Sequence, residues 1–109
     1  MFKKNDLKKK IKLYLQNISN KVSIDKVILY GSYASGKPDK NSDIDVAIIS
    51  SKNSDKNFLN DLSYLWIEAA KVDTKIEPLL FSSLEEKNRE PNSFLSEILR
   101  TGKVVYKSK

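Results

Sequence analysis

A glycine–serine pair and two aspartates at a fixed separation constrain this chain more than any other feature. The apolar run Val27-Ile28-Leu29-Tyr30 stops at Gly31-Ser32, and ten residues later Asp43-Ile44-Asp45 opens a second apolar run, Val46-Ala47-Ile48-Ile49. Short, branched, turn-bounded runs of this kind read as strands. Successive side chains of a strand point to opposite faces, so Asp43 and Asp45 share one face while Ile44 enters the core. At about 3.3 Å per residue the two carboxylates stand about 7 Å apart along that face. Such a pair suits hard divalent cations, and Mg²⁺ in particular is held by one or two carboxylates together with substrate phosphates. Gly31-Ser32 supplies a close-approaching backbone, free N–H groups and a hydroxyl, which are the groups a triphosphate needs.

Composition removes competing chemistries. The chain has neither His nor Cys, which excludes Ser-His-Asp and Cys-His nucleophiles, His- or thiolate-bound zinc, and disulfides. Catalysis is left to carboxylates, hydroxyls, Lys, Arg or a bound metal. At 109 residues one modest core is expected, and thus a single domain over residues 1–109. No stretch reaches the length of a membrane span, and the Lys-rich N-terminus leads into no apolar signal core. The reading is a cytoplasmic protein without a membrane partner.

Charge is uneven. Residues 1–26 hold eight Lys against Asp6 and Asp25, and the remainder is balanced. A basic N-terminal helix can mark nucleic acid or an acidic partner. Without Arg and aromatic interleaving, a solvated face is preferred and nucleic acid is not favoured.

Periodicity predicts the other elements. Leu7, Ile11, Tyr14 or Leu15 and Ile18 indicate an amphipathic helix over about 5–20. Strands are predicted at 26–30 and 43–50, with a helical turn at Ser32–Ser35 and a loop at Gly36–Ser42 between them. Asn53-Ser54-Asp55 is the capping candidate for a helix over about 55–71, with Phe58, Leu59, Leu62, Leu65, Trp66 and Ala69 on its core face. Asp73–Phe81 reads as a strand, placed at an edge or end by Pro78. Ser82-Ser83-Leu84-Glu85 has the form of a capping box. A helix over Asn92–Leu99, burying Phe94, Leu95, Ile98 and Leu99, ends at Gly102 as a C-cap before the strand Lys103–Tyr106.

A third carboxylate would make the chemistry definite. Asp73 and Glu77 fall on one face of the third strand; Glu77, in Lys75-Ile76-Glu77-Pro78, is the preferred candidate and Asp73 the alternative. Two cations bridged by Asp43 and Asp45 would clamp a nucleoside triphosphate, and Glu77 would complete the metal shell or take the proton of an attacking hydroxyl. Lys37 and Lys40 could touch phosphates, though solvation is preferred. Tyr33 could stack on a base or pack against the sheet.

The pattern G-S-x10-D-x-D met by Gly31, Ser32, Asp43 and Asp45, with Glu77 as the later acid and Glu97–Tyr106 as closing helix, glycine and strand, resembles the minimal nucleotidyltransferase family of the DNA polymerase β superfamily. The resemblance covers about residues 22–107. It implies an α+β nucleotidyltransferase fold, a small mixed β-sheet flanked by helices, with Asp43, Asp45 and Glu77 as metal-binding and catalytic residues, Gly31 and Ser32 as nucleotide-binding ones, two Mg²⁺ ions, and ATP as substrate. Many such proteins are antitoxins that transfer AMP to a tyrosine of a helical HEPN ribonuclease toxin. The expected function is therefore protein adenylylation of such a partner. The alternatives are a small-molecule nucleotidyltransferase of the aminoglycoside-modifying kind, or a non-catalytic antitoxin that neutralises by binding.

Overall fold

The computed structural model describes residues 2–52 and 56–108. The elements run in the order α1 (Lys4–Ile18), β1 (Lys26–Tyr30), α2 (Ser32–Ser35), β2 (Ile44–Ser50), α3 (Phe58–Val72), β3 (Ile76–Ser82), α4 (Ser83–Lys87), α5 (Phe94–Thr101) and β4 (Lys103–Lys107). The four strands form one sheet in the order β3-β2-β1-β4. β1 runs antiparallel to both β2 and β4, and β2 runs parallel to β3, so the sheet is mixed.

Alternation along the strands divides the core in two. Val27 and Leu29 of β1 join Ile44, Val46 and Ile48 of β2 and Ile76 and Leu80 of β3 beneath α1 and α3, which contribute Leu7, Ile11, Tyr14, Ile18, Leu65 and Ala69. The intervening residues, Ile28, Ala47 and Ile49, face the other way and meet Leu95 and Ile98 of α5. β2 is therefore covered on both sides, which is why its sequence is apolar without alternation. Tyr14 is fully buried and its hydroxyl donates to the Leu65 carbonyl at 2.9 Å, pinning α1 to α3. Burial, more than the charges of Glu68 and Tyr64, pushes the Tyr14 phenol well above its ordinary range.

The helix over 55–71 begins at Phe58; the proposed cap Asn53-Ser54-Asp55 lies outside the described residues. Two overlapping stripes on this helix compete for the core. Phe58-Leu62-Leu65-Ala69-Val72 packs inward, and Leu59 and Trp66, one residue further round, turn outward. One residue is about 100° of rotation at 3.6 residues per turn, so Trp66, expected in the core, is 43% exposed.

β3 begins at Ile76 instead of Asp73 because Asp73 is used as the end of α3: its N–H donates to the Ala69 carbonyl, and its carboxylate accepts from the Lys75 N–H at 2.8 Å. The capping box forms as expected, with Ser82 accepting from the Glu85 N–H and Glu85 accepting from the Ser82 N–H. Pro78 lies on the edge strand β3 opposite Val46. The Lys75 carbonyl accepts from Ile44 N–H, so odd-numbered residues of β3 turn their backbone groups toward β2 and Pro78 turns its missing donor outward.

Helix α5 starts two residues later than predicted and ends, as expected, at Gly102, whose N–H donates to the Ile98 carbonyl at 2.8 Å. Its φ is −80°, and the glycine is required by proximity: a Cβ there would stand 2.6 Å from the Ile98 carbonyl, 2.9 Å from the Leu29 carbonyl and 2.5 Å from Ile28 Cγ2. The chain passes so close to β1 that only hydrogen fits.

Candidate active site

The end of β1, the start of β2 and the start of β3 meet at one corner of the sheet. β1 stops because Gly31 turns the backbone to φ 75°, ψ −151°, a conformation that L side chains rarely adopt. A second constraint acts on the same residue, since a Cβ at Gly31 would collide with Oδ2 of Asp45. The Gly31 carbonyl accepts from the N–H groups of Ala34 and Ser35, which closes the single turn of α2. Ser32 is the first residue of that turn, half-buried, and its hydroxyl is in no hydrogen bond among the described residues.

Across the β1–β2 pair, Asp45 is the register partner of Tyr30, and across β2–β3 it is the register partner of Glu77. Asp43 lies just before β2 and two residues from Asp45, hence on the same face. Glu77 reaches both aspartates: burial, then the charges of Asp43 and Asp45, then hydrogen bonding to them hold its carboxyl above the usual range. The Asp45 carboxyl is raised for the same leading reason, burial, followed by the Asp43 charge, with hydrogen bonding to Glu77 partly offsetting both. Like charges brought together in a half-buried corner favour the protonated form.

Asp73 is not part of this cluster. It forms an ion pair with Lys10 of α1 at 3.1 Å. Although burial opposes ionisation, the Lys75 N–H and the Lys10 ammonium outweigh it and hold the Asp73 carboxyl below its ordinary value. Of the two candidates for third acid, the fold brings Glu77 alone to Asp43 and Asp45.

The donor set is all-oxygen and anionic, the set that suits a hard divalent cation such as Mg²⁺ and suits a thiolate- or imidazole-seeking metal poorly. Glu77 interacts with both aspartates; among the described residues no three acidic, His or Cys groups surround a common point in metal-ligand geometry.

Of the two readings of Tyr33 the packed one holds, and the burial expected for Phe94 is corrected. Tyr33 is buried in the core beside Ala34, and its hydroxyl accepts from the Phe2 N–H at 3.2 Å, so its ring packs and is not offered to a base. Phe94, expected in the core, is 60% exposed and meets the Tyr30 ring edge-on, with centroids 5.9 Å apart and planes at 85°. Being the first residue of α5 it falls outside the Leu95–Ile98 face. Tyr30 is pushed up to about 12 by burial first, then by the Asp45 and Glu77 charges, which places its phenol beside the carboxylates. The signal for this pair was Tyr30's position immediately before Gly31, on the face of Asp45; nothing in the local pattern pointed to Phe94.

Comparison with known proteins bears on the fold and the family. A Sulfolobus solfataricus protein assigned to the nucleotidyltransferases superimposes with a TM-score of 0.66 at 15% identity, covering 94% of this chain and 81% of its own. A toxin–antitoxin structure with AMP-PNP gives 0.57 at 20% identity, and a mutant of the toxin–antitoxin MntA–HpeT gives 0.56 at 18%; each match covers 94% of this chain and 74% of the other. These likenesses concern the fold. No match to a curated protein sequence emerges. Among the described residues no helix is long and apolar enough to cross a membrane. The family model of the polymerase β nucleotidyltransferases matches residues 9–109, nearly the whole chain, and the protein belongs to that family.

Proposed function

We propose that the protein transfers AMP from ATP to a tyrosine hydroxyl of a helical HEPN toxin, acting as its antitoxin in the cytoplasm. The observation that carries the reading is the junction of Asp43, Asp45 and Glu77 with the Gly31-Ser32 turn at one corner of a nucleotidyltransferase fold. The likeness to two toxin–antitoxin structures, one of them with AMP-PNP, supports the choice of partner and nucleotide.

In this reading the Gly31 backbone and Ser32 hydroxyl receive the triphosphate, and Asp43, Asp45 and Glu77 would hold Mg²⁺. When bound, the metal neutralises charge on the phosphates and lowers the cost of a negatively charged oxygen nearby. The acceptor oxygen attacks the α-phosphorus in line, a P–O bond forms, the bond to the bridging oxygen breaks and pyrophosphate leaves. Glu77, on the strand beside the aspartates, would complete the metal's shell or accept the hydroxyl proton. Asp45 is held in place by β2 on one side and by contact with Gly31 on the other.

The test is incubation with ATP, Mg²⁺ and the toxin encoded next to this protein, followed by intact-mass and peptide spectra. A gain of whole AMP residues on a toxin tyrosine, lost with Asp43→Asn, is expected. An unmodified toxin that is nonetheless neutralised would favour antitoxin action by binding alone.

A further inference from the structure

Phe94 is an exposed aromatic ring in a place where the fold does not need one. Its neighbours Leu95 and Ile98 fill the space between α5 and the sheet, and Phe94 stands outside that contact, its ring paired edge-to-face with Tyr30. Tyr30 precedes Gly31 directly and is the β1 partner of Asp45. The two rings thus form a shelf on the β1 side of the carboxylates, and Glu77 stands on the opposite, β3 side.

We propose that this shelf is the nucleobase subsite, with the exposed face of Phe94 stacking on the base and Tyr30 fixing the Phe94 ring by edge contact. The inference rests on the reading of Gly31-Ser32 and the carboxylates as the triphosphate site. Given that site, the acceptor hydroxyl approaches from the Glu77 side, so the nucleoside is left the β1 side, where the shelf begins one residue from Gly31. An aromatic face stacks on any base and contributes affinity with little base specificity. Tyr33, the other aromatic near the turn, is closed to a ligand by its burial and its bond to Phe2.

The two ends of the nucleotide can be probed separately. Binding of ATP and of inorganic triphosphate, each with Mg²⁺, is measured by calorimetry for the wild type, Phe94→Ala and Phe94→Trp, with thermal melts to confirm folding. Phe94→Ala weakens ATP by about tenfold and leaves inorganic triphosphate unchanged, and Phe94→Trp restores or tightens ATP. Equal loss of both probes, or loss of neither, overturns the shelf and leaves the triphosphate site standing. Unchanged ATP binding combined with slower transfer to the toxin would assign the rings to the acceptor's tyrosine and also overturn it. A wild type that binds neither probe overturns the triphosphate reading and the shelf with it.

Discussion

Asp45 and Glu77 are register partners across the parallel β2–β3 pair, and they act on one another in opposite senses: Asp45 adds to the rise of the Glu77 carboxyl, whereas hydrogen bonding to Glu77 partly offsets the rise of Asp45. Both carboxyls are raised, chiefly by burial and next by the charges around them. A folded-state value above the unfolded one means that the native protein binds protons more tightly. Stability of the metal-free protein then falls as pH rises through the ordinary values of 3.8 and 4.5 toward the raised ones. Melts in chelator from pH 4 to 7 should show this decline, and Mg²⁺ should restore more at pH 7 than at pH 4. Glu77→Gln should flatten the profile.

The same three acids are predicted to be unequal to Asp73 in activity. Asp43→Asn, Asp45→Asn and Glu77→Gln should each lower AMP transfer by about a hundredfold or more. Asp73→Asn should leave transfer within about threefold and act on stability through Lys10, an exposed-pair effect of about 1 kcal/mol or less. Pyrophosphate release assays separate the two classes.

Gly31→Ala should cost about 1–3 kcal/mol from its backbone conformation alone, and the added methyl should push Asp45 out of place. Gly36→Ala is the control. It shares the positive φ, 79°, but has open space around it, so it should destabilise the fold and leave nucleotide binding intact. Melts and ATP titrations on both variants check the difference.

Gly102→Ala should destabilise by about 1–3 kcal/mol although its φ suits any residue, because the methyl overpacks against Ile28 and two carbonyls. Hydrogen exchange should show the loosening along β4 and the end of α5.

Leu65→Ala should cost about 2–5 kcal/mol, whereas Trp66→Gln should cost about 1 kcal/mol or less. The neighbours differ because Leu65 is fully buried and Trp66 is not. Chemical denaturation of both variants reads the rotation of α3 directly.

Much of this was legible because the signals were local. The strand, the Gly31 turn and the second strand are punctuated by residues whose reasons lie within a few positions, and the alternation that sets Asp43 and Asp45 on one face needs no tertiary information. Glu77 was reachable by the same alternation; that Asp73 turns away toward Lys10 depended on where α1 packs, 63 positions earlier in the chain. Trp66 and Leu59 were misplaced because two apolar stripes one residue apart fit the helix equally well, and only the sheet below chooses between them. Gly102 was legible as the end of α5, but local pattern cannot tell that the glycine is needed for its lack of volume and not for its torsion.

Pro78 adds a consequence for assembly. The open margin of β3 runs beside Glu77, and an unpaired strand edge invites another extended chain to lie against it. With its missing donor facing outward and its ring fully buried, Pro78 breaks that template one residue from Glu77. A strand of another chain therefore cannot continue the ladder past Glu77 on this margin. β4, on the far margin, carries no proline and presents Val104, Val105 and Tyr106 to solvent. Of the two margins, it is the one whose ladder no proline interrupts.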